Sequence, residues 1–99
     1  MGILENQVAL VTGGSRGIGK AVCLMLAKEG AFVYVNYSSN EQKAQDVVKE
    51  IKDAGGDAKA LGFRVQEKQE VESAINQIKE EKGKIDILVN NAELLETLF

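Results

Sequence analysis

Residues 8–19 read Val-Ala-Leu-Val-Thr-Gly-Gly-Ser-Arg-Gly-Ile-Gly, and this stretch decides the fold. Gln7–Thr12 is an apolar run without alternation, which suits a strand buried on both faces rather than one with a wet side. Gly13-Gly14 ends it. From Arg16 to Glu29 the apolar residues Ile18, Ala21, Val22, Met25 and Leu26 recur at helical spacing, and Gly30 stands where a helix C-terminus favours a left-handed residue. A strand, a glycine turn and a helix therefore follow one another directly. A helix that starts at such a turn presents unpaired N–H groups and the positive end of its dipole, so the turn is expected to hold an anion such as a phosphate. Gly13 allows the sharp turn, Gly17 allows a ligand to approach the backbone, and Gly19 lets the helix pack closely on the sheet. The spacing Gly13-x-x-x-Gly17-x-Gly19 departs from the common G-x-G-x-x-G, so on spacing alone a ligand-free glycine turn stays open.

The pattern repeats outward from this unit. Ala31–Asn36 is rich in aromatic and β-branched residues and reads as a second strand. Asn40 offers an N-cap to a second helix, whose stripe is Ala44, Val47, Val48 and Ile51 and whose end is Gly55-Gly56. Ala58–Val65 is a weaker strand interrupted by Gly62; Glu67–Lys82, with Val71, Ala74, Ile75 and Ile78 on one face, is a third helix; and Lys84–Asn90 is a fourth strand. Strands alternating with helices through short turns require right-handed parallel crossovers. The expected fold class is thus α/β, an open parallel Rossmann-type sheet of strand order 3-2-1-4 with three crossover helices.

Composition removes several functions. The 99 residues include 12 Lys+Arg, 15 Asp+Glu, no His and a single cysteine, for a net charge of -3. That set supplies no His-based triad, no Cys/His metal cluster and no disulfide framework. Lys and Glu are interleaved, so no basic face for nucleic acid is expected, and no apolar stretch approaches the length needed to cross a bilayer. A cytoplasmic location, or an organellar one after loss of a transit peptide, is the expectation. Cys23 reads as a small apolar helix residue.

Thr12-Gly13-x-x-x-Gly17-x-Gly19, taken with Asn90-Asn91-Ala92 at the end of the fourth strand, resembles the short-chain dehydrogenase/reductase family. VALVTGGSRGIG, the NYSSNEQKA segment and KIDILVNNA bring it nearest to the 3-oxoacyl-(acyl-carrier-protein) reductases of fatty acid synthesis. The resemblance runs from Val8 to Ala92. It implies a cofactor-binding half of a doubly wound fold, residues 1–93, followed by a non-family apolar tail, residues 94–99. It also implies hydride transfer from NADPH to a β-ketoacyl thioester in the complete enzyme. By the same resemblance Gly13, Ser15, Arg16, Gly17, Ile18, Gly19, Ser38, Val65 and Asn91 are the cofactor-binding residues.

NAD-preferring relatives carry an Asp or Glu about 20 residues after the glycine motif. Here the segment is Asn36-Tyr37-Ser38-Ser39 without a carboxylate, and Arg16 can pair with a 2′-phosphate, which favours NADP. Two positions depart from the family. Arg64 stands where an adenine-binding Asp or Asn is usual, and Glu93 replaces the glycine after Asn90-Asn91-Ala92. The family's catalytic Tyr-x-x-x-Lys pair with its upstream Ser is missing, since Ser38 and Glu41 lie four residues after Tyr34 and Tyr37. Tyr34 reads as a core residue and Tyr37 as a loop aromatic near the cofactor. The expected function is therefore the cofactor-binding half of such a reductase, inactive alone; the alternatives are a non-catalytic minimal Rossmann nucleotide-binding module and an engineered scaffold. Leu94, Leu95, Leu98 and Phe99 would share one face of a short helix, expected either to cover the core or to meet a partner. Because helix three alone covers one sheet face and the fourth strand is an edge, a homo-oligomer is expected.

Overall fold

Five residues, Val8–Thr12, form β1, and every one is buried, as their unbroken apolar character requires of a central strand. The computed structural model describes residues 2–92; Glu93 and the expected tail lie outside the described residues. Along the chain β1 is followed by α1 (Gly17–Lys28), β2 (Phe32–Tyr37), α2 (Glu41–Asp53), β3 (Asp57–Gly62), α3 (Lys68–Lys82) and β4 (Ile87–Asn90). The four strands are parallel in the order β3-β2-β1-β4, the Rossmann order expected from the sequence. Register places Leu10 between Tyr34 and Leu88, and Thr12 beside Asn90.

Successive strand residues point to opposite faces, so two cores form. Ala9, Val11, Val33, Val35 and Ala58 face α1 and α2, meeting Cys23, Leu26, Ala44, Val47 and Ile51. Val8, Leu10, Tyr34, Leu61, Phe63 and Val65 face α3 and meet Ala74 and Ile78. Each of these larger apolar side chains contributes about 1.5–3 kcal/mol by leaving water. At β4 the second face runs out of cover: Leu88 is 47% exposed, while Ile87 and Val89 are half-buried against the first core. Among the described residues no helix is long and apolar enough to cross a membrane.

Several boundaries and one helix face differ from expectation. The third strand ends at Gly62 rather than Val65, because the Tyr37 ring lies over Gly62 so closely that a Cβ there would sit 2.6 Å from it; the chain then turns away. The second strand runs one residue further, to Tyr37, so Tyr37 is a strand-end residue and not part of a loop. The fourth begins at Ile87, after Asp86 has turned back to accept the Val8 N–H at 2.8 Å. On α1 the buried residues are Gly19, Cys23, Leu26 and Ala27, whereas Ile18 and Met25 are exposed. A helix apolar on most sides offers more than one stripe of the right period, and contact with the sheet selects the one with small residues.

Candidate functional site

All three helices begin at the edge of the sheet where the strands end, and the cleft lies there, outside the ends of β1, β2 and β3. Such a crevice is the usual ligand position of an open α/β sheet. Its volume is about 880 Å³.

The glycine turn forms its floor. Gly13 and Gly17 have φ of 64° and 59°, values that cost little only for glycine. A Cβ on Gly19 would collide with the Gly13 carbonyl oxygen, so this glycine is required by packing of the helix on its own turn. Around Gly17 a Cβ would meet nothing within 4 Å, leaving its backbone open to an approaching group. Arg16 is the N-cap of α1; it makes no capping bond through its side chain, and no acid stands in the first turn. The N–H groups that every helix leaves over at this end therefore have no side-chain acceptor.

One residue absent from the sequence-based site holds this turn in place. Asn36 is 2% exposed; its Oδ1 accepts the Gly13 N–H at 3.0 Å, and its carbonyl accepts the Gly14 N–H at 3.1 Å. Its Nδ2 donates to the Leu61 and Phe63 carbonyls at 3.2 and 3.0 Å and to that of Tyr37 at 3.2 Å. Only an amide offers acceptor and donors at once, and the reversed orientation would set its oxygen against three carbonyls. Asn36 thus ties the β1–α1 turn to the ends of β2 and β3. Nothing local marks it, since its partners Leu61 and Phe63 lie 25 and 27 residues away.

Thr12 does the corresponding work toward β4. Its Oγ1 accepts from the Asn91 and Ala92 N–H groups at 2.9 and 3.1 Å and lies 3.3 Å from both the Val89 carbonyl and Asn90 Oδ1. Asn91 Nδ2 donates to the Gly13 carbonyl at 3.2 Å, so this side chain braces the turn from the cleft wall.

Of the residues singled out in the sequence, Gly13, Ser15, Arg16, Gly17, Ser38, Val65 and Asn91 line the cleft. Gly19 lies beneath it. Ile18 does not line it: it is 76% exposed on the outer side of α1, because the buried side of that turn is taken by Gly19. Lys43, Ser39, Asn40 and Gln66 line the cleft as well. The sequence stripe of α2 showed its buried side and not which of its polar residues would turn to the cleft.

Charge in the cleft is one-sided. Among the described residues no Asp or Glu lines it, while Arg16, Lys43 and Arg64 do. Arg64 is already neutralised. Its Nη2 and Nε donate to Glu70 Oε2 at 2.6 and 3.1 Å, and its own N–H donates to Glu70 Oε1 at 2.8 Å. These bonds hold the Glu70 carboxyl below the usual carboxylate range and raise Arg64. Among the described residues, neither Arg16 nor Lys43 has an ion-pair partner.

Two nucleophilic or acidic groups are excluded from chemistry by their surroundings. Burial pushes the Cys23 thiol up to about 12, and its Sγ is packed beneath Gly14, 3.8 Å from that carbonyl oxygen. Tyr34, buried on the α3 face, donates to Glu81 Oε1 at 2.6 Å; burial first and then Glu81 raise its phenol further. Lys59, with Tyr34, holds Glu81 at about 2. Both residues are structural, as their sequence positions suggested.

The family model for the short chain dehydrogenases matches residues 7–98. The short-chain dehydrogenase/reductase homolog YusS of Bacillus subtilis strain 168 is 47% identical over 89 residues, covering 90% of this chain and 82% of that protein. The 3-oxoacyl-(acyl-carrier-protein) reductase FabG of Staphylococcus aureus strain Mu50 is 48% identical over 87 residues, 88% of this chain but 35% of the reductase. The crystal structure of a metagenomic short-chain oxidoreductase in complex with NADP superposes with a TM-score of 0.89 at 35% identity, over 92% of this chain and 41% of that one. The chain therefore spans most of one relative and well under half of the other two proteins.

Proposed function

The chain belongs to the short-chain dehydrogenase/reductase family, and we propose that its cleft binds a nicotinamide dinucleotide, NADPH in preference to NADH. The observation that carries this reading is the charge of the cleft among the described residues: no carboxylate on its walls, two cations without ion-pair partners, and a helix start without cap or acid. A dianionic phosphomonoester meets attraction there and no repulsion. The NADP held by the metagenomic oxidoreductase, on a fold that superposes closely, supports the same ligand.

In this reading Gly13, Ser15, Gly17 and the first turn of α1 hold the diphosphate. Arg16 and Ser38 hold the adenosine ribose and its 2′-phosphate. Val65 borders the adenine, and Asn91, braced on Gly13, borders the nicotinamide side. Ile18 and Gly19 act through the turn and helix start rather than as walls. When bound, NADPH supplies a hydride for carbonyl reduction.

The likeness to FabG supports a 3-oxoacyl thioester as the substrate of a complete enzyme built on this half, with acyl-carrier protein as its carrier. Reduction also needs a proton donor. Among the described residues, Tyr34 faces the α3 core, and Tyr37 lines the cleft with Glu41 four residues on. The 99 residues are thus proposed to bind the dinucleotide without reducing a ketoacyl thioester at a useful rate, since general acid catalysis contributes about 10²–10⁴-fold.

The test is calorimetric titration of the chain with NADPH and NADH. Weak binding with NADPH ahead is expected; equal or tighter NADH binding overturns the preference, and binding of neither overturns the reading. Thioester-dependent consumption of NADPH by protein free of host reductases would overturn the claim of inactivity.

A second copy of the chain is the proposed partner, at β4. The two sheet edges differ: β3 carries Asp57 and Lys59, with Lys59 tied to Glu81, whereas β4 is Ile87-Leu88-Val89-Asn90 without a charge. Charged edge strands resist pairing and apolar ones invite it. Light scattering is expected to show a dimer, and a clean monomer at high concentration would contradict it.

A further inference from the structure

Lys43 occupies the second residue position after the start of α2 and lines the cleft together with Arg16, Ser38 and Ser39. Among the described residues its surroundings leave it available. Elsewhere on the surface some lysines are engaged by an acid: Lys49 by Asp53 at 2.8 Å, Lys20 by Glu50 at 3.3 Å, Lys84 by Asp86 at 3.0 Å. Lys43 has Asp46 one turn along the same helix, within the reach of an i,i+3 pair. Asp46 instead accepts from Gln42 Nε2 at 2.9 Å, and Glu41 accepts from Gln45 at 3.5 Å along the helix. Neither acid lines the cleft.

The backbone at this point is fixed. Asn40 Oδ1 accepts the Lys43 N–H at 3.2 Å, which satisfies the start of α2 and anchors the root of the side chain beside Ser38 and Ser39. A satisfied helix start attracts an anion less than the unsatisfied start of α1, so at the β2–α2 end of the cleft the attraction comes from side chains. Arg64, the third cation of the cleft, is consumed by Glu70. Arg16 and Lys43 remain.

We propose that Lys43 is a specificity-determining residue: together with Arg16 it binds the phosphomonoester that distinguishes NADPH from NADH. This rests on the dinucleotide reading given above. A flexible ammonium suits the task because it follows a phosphate through several torsions, whereas the planar guanidinium of Arg16 supplies the directional bonds. The two cations divide the work, and selection depends on both.

The experiment is titration of the unsubstituted chain, Lys43→Met and Lys43→Arg with NADPH and with NADH at low ionic strength. Methionine keeps the length of the stem and removes the charge, at an exposed position where the fold does not depend on it. Lys43→Met is expected to weaken NADPH about 5- to 10-fold, as loss of a partly exposed charge-assisted bond does, and to leave NADH within twofold. Lys43→Arg is expected to restore NADPH. An unchanged NADPH affinity in Lys43→Met overturns the proposal while leaving dinucleotide binding intact. A parallel fall for both cofactors also overturns it, since Lys43 would then act on a part they share. If the unsubstituted chain binds neither, the dinucleotide reading falls and this assignment with it.

Discussion

The starts of α1 and α3 lie at the same edge of one sheet and are treated in opposite ways. At α3 the carboxylate of Glu70 sits in the first turn and accepts the Arg64 N–H, so the positive end of the helix and the neighbouring guanidinium are both answered from within the chain. At α1 nothing among the described residues answers: Arg16, a cation, stands as N-cap, and no acid follows in the first turn. The start of α2 is answered too, by the Asn40 side chain as cap with Glu41 behind it, whereas the N-cap of α3, Glu67, makes no side-chain cap bond and Glu70 supplies the charge instead. A protein optimised only for stability would fill all three. The one left unfilled opens onto a cleft without carboxylates among the described residues, and that contrast supports the proposed site more directly than the glycines do.

The largest effect is expected where the unfilled turn is held. Asn36→Ala leaves the Gly13 N–H and the Leu61 and Phe63 carbonyls without their partner and should destabilise the chain by about 3 kcal/mol, at 1–3 kcal/mol for each buried group left unpaired. Urea unfolding measures this, and a loss below about 1 kcal/mol would show that the turn stands without Asn36.

Gly19→Ala comes next, at about 2 kcal/mol, because its Cβ would be driven into the Gly13 carbonyl. Gly17→Ala meets only open space and should cost about 1 kcal/mol through its positive φ alone. Equal costs for the two would mean that packing of the turn is not what distinguishes them.

Arg16→Asp gives α1 a side-chain cap of the kind α2 has. Aspartate at an extended N-cap should stabilise the ligand-free chain by about 1 kcal/mol while sharply weakening NADPH. A raised melting temperature with lost affinity would show that the cleft holds its charge at the expense of stability; no gain in stability would show that the turn cannot accept a cap.

Acid should act on α3 and spare α1. The Glu70 carboxyl is held below its ordinary value, so its contribution is fully present above about pH 4.3 and fades as pH falls through its lowered folded value. The Arg64 amide resonance is expected to shift over that window, with the Gly17 and Ile18 amides unmoved. A simultaneous shift at α1 would contradict the separation of the two helix starts.

The order of the elements and the sheet order were legible because their signals are local: apolar runs bounded by glycine, stripes of helical period, and the handedness of crossovers. The end of the third strand was not, because it depends on the Tyr37 ring lying over Gly62 from the neighbouring strand. The face of α1 was misread for a similar reason, since Ile18 and Met25 fit the helical period as well as Leu26 does, and only the distance to the sheet separates them.

By itself, then, the sequence determined an α/β chain with a phosphate-type glycine turn at its first strand, since each glycine needed there acts through the backbone at its own position. Tertiary structure alone decided which polar side chains are engaged and which are available. Asn36 reaches across to β3, Thr12 accepts from Asn91 and Ala92 at separations of 79 and 80 residues, Arg64 is spent on Glu70, and Lys43 is left facing the cleft. Hydrogen bonds and ion pairs depend on distances of a few ångströms between atoms far apart in the chain, and these exist only once the strands are in register.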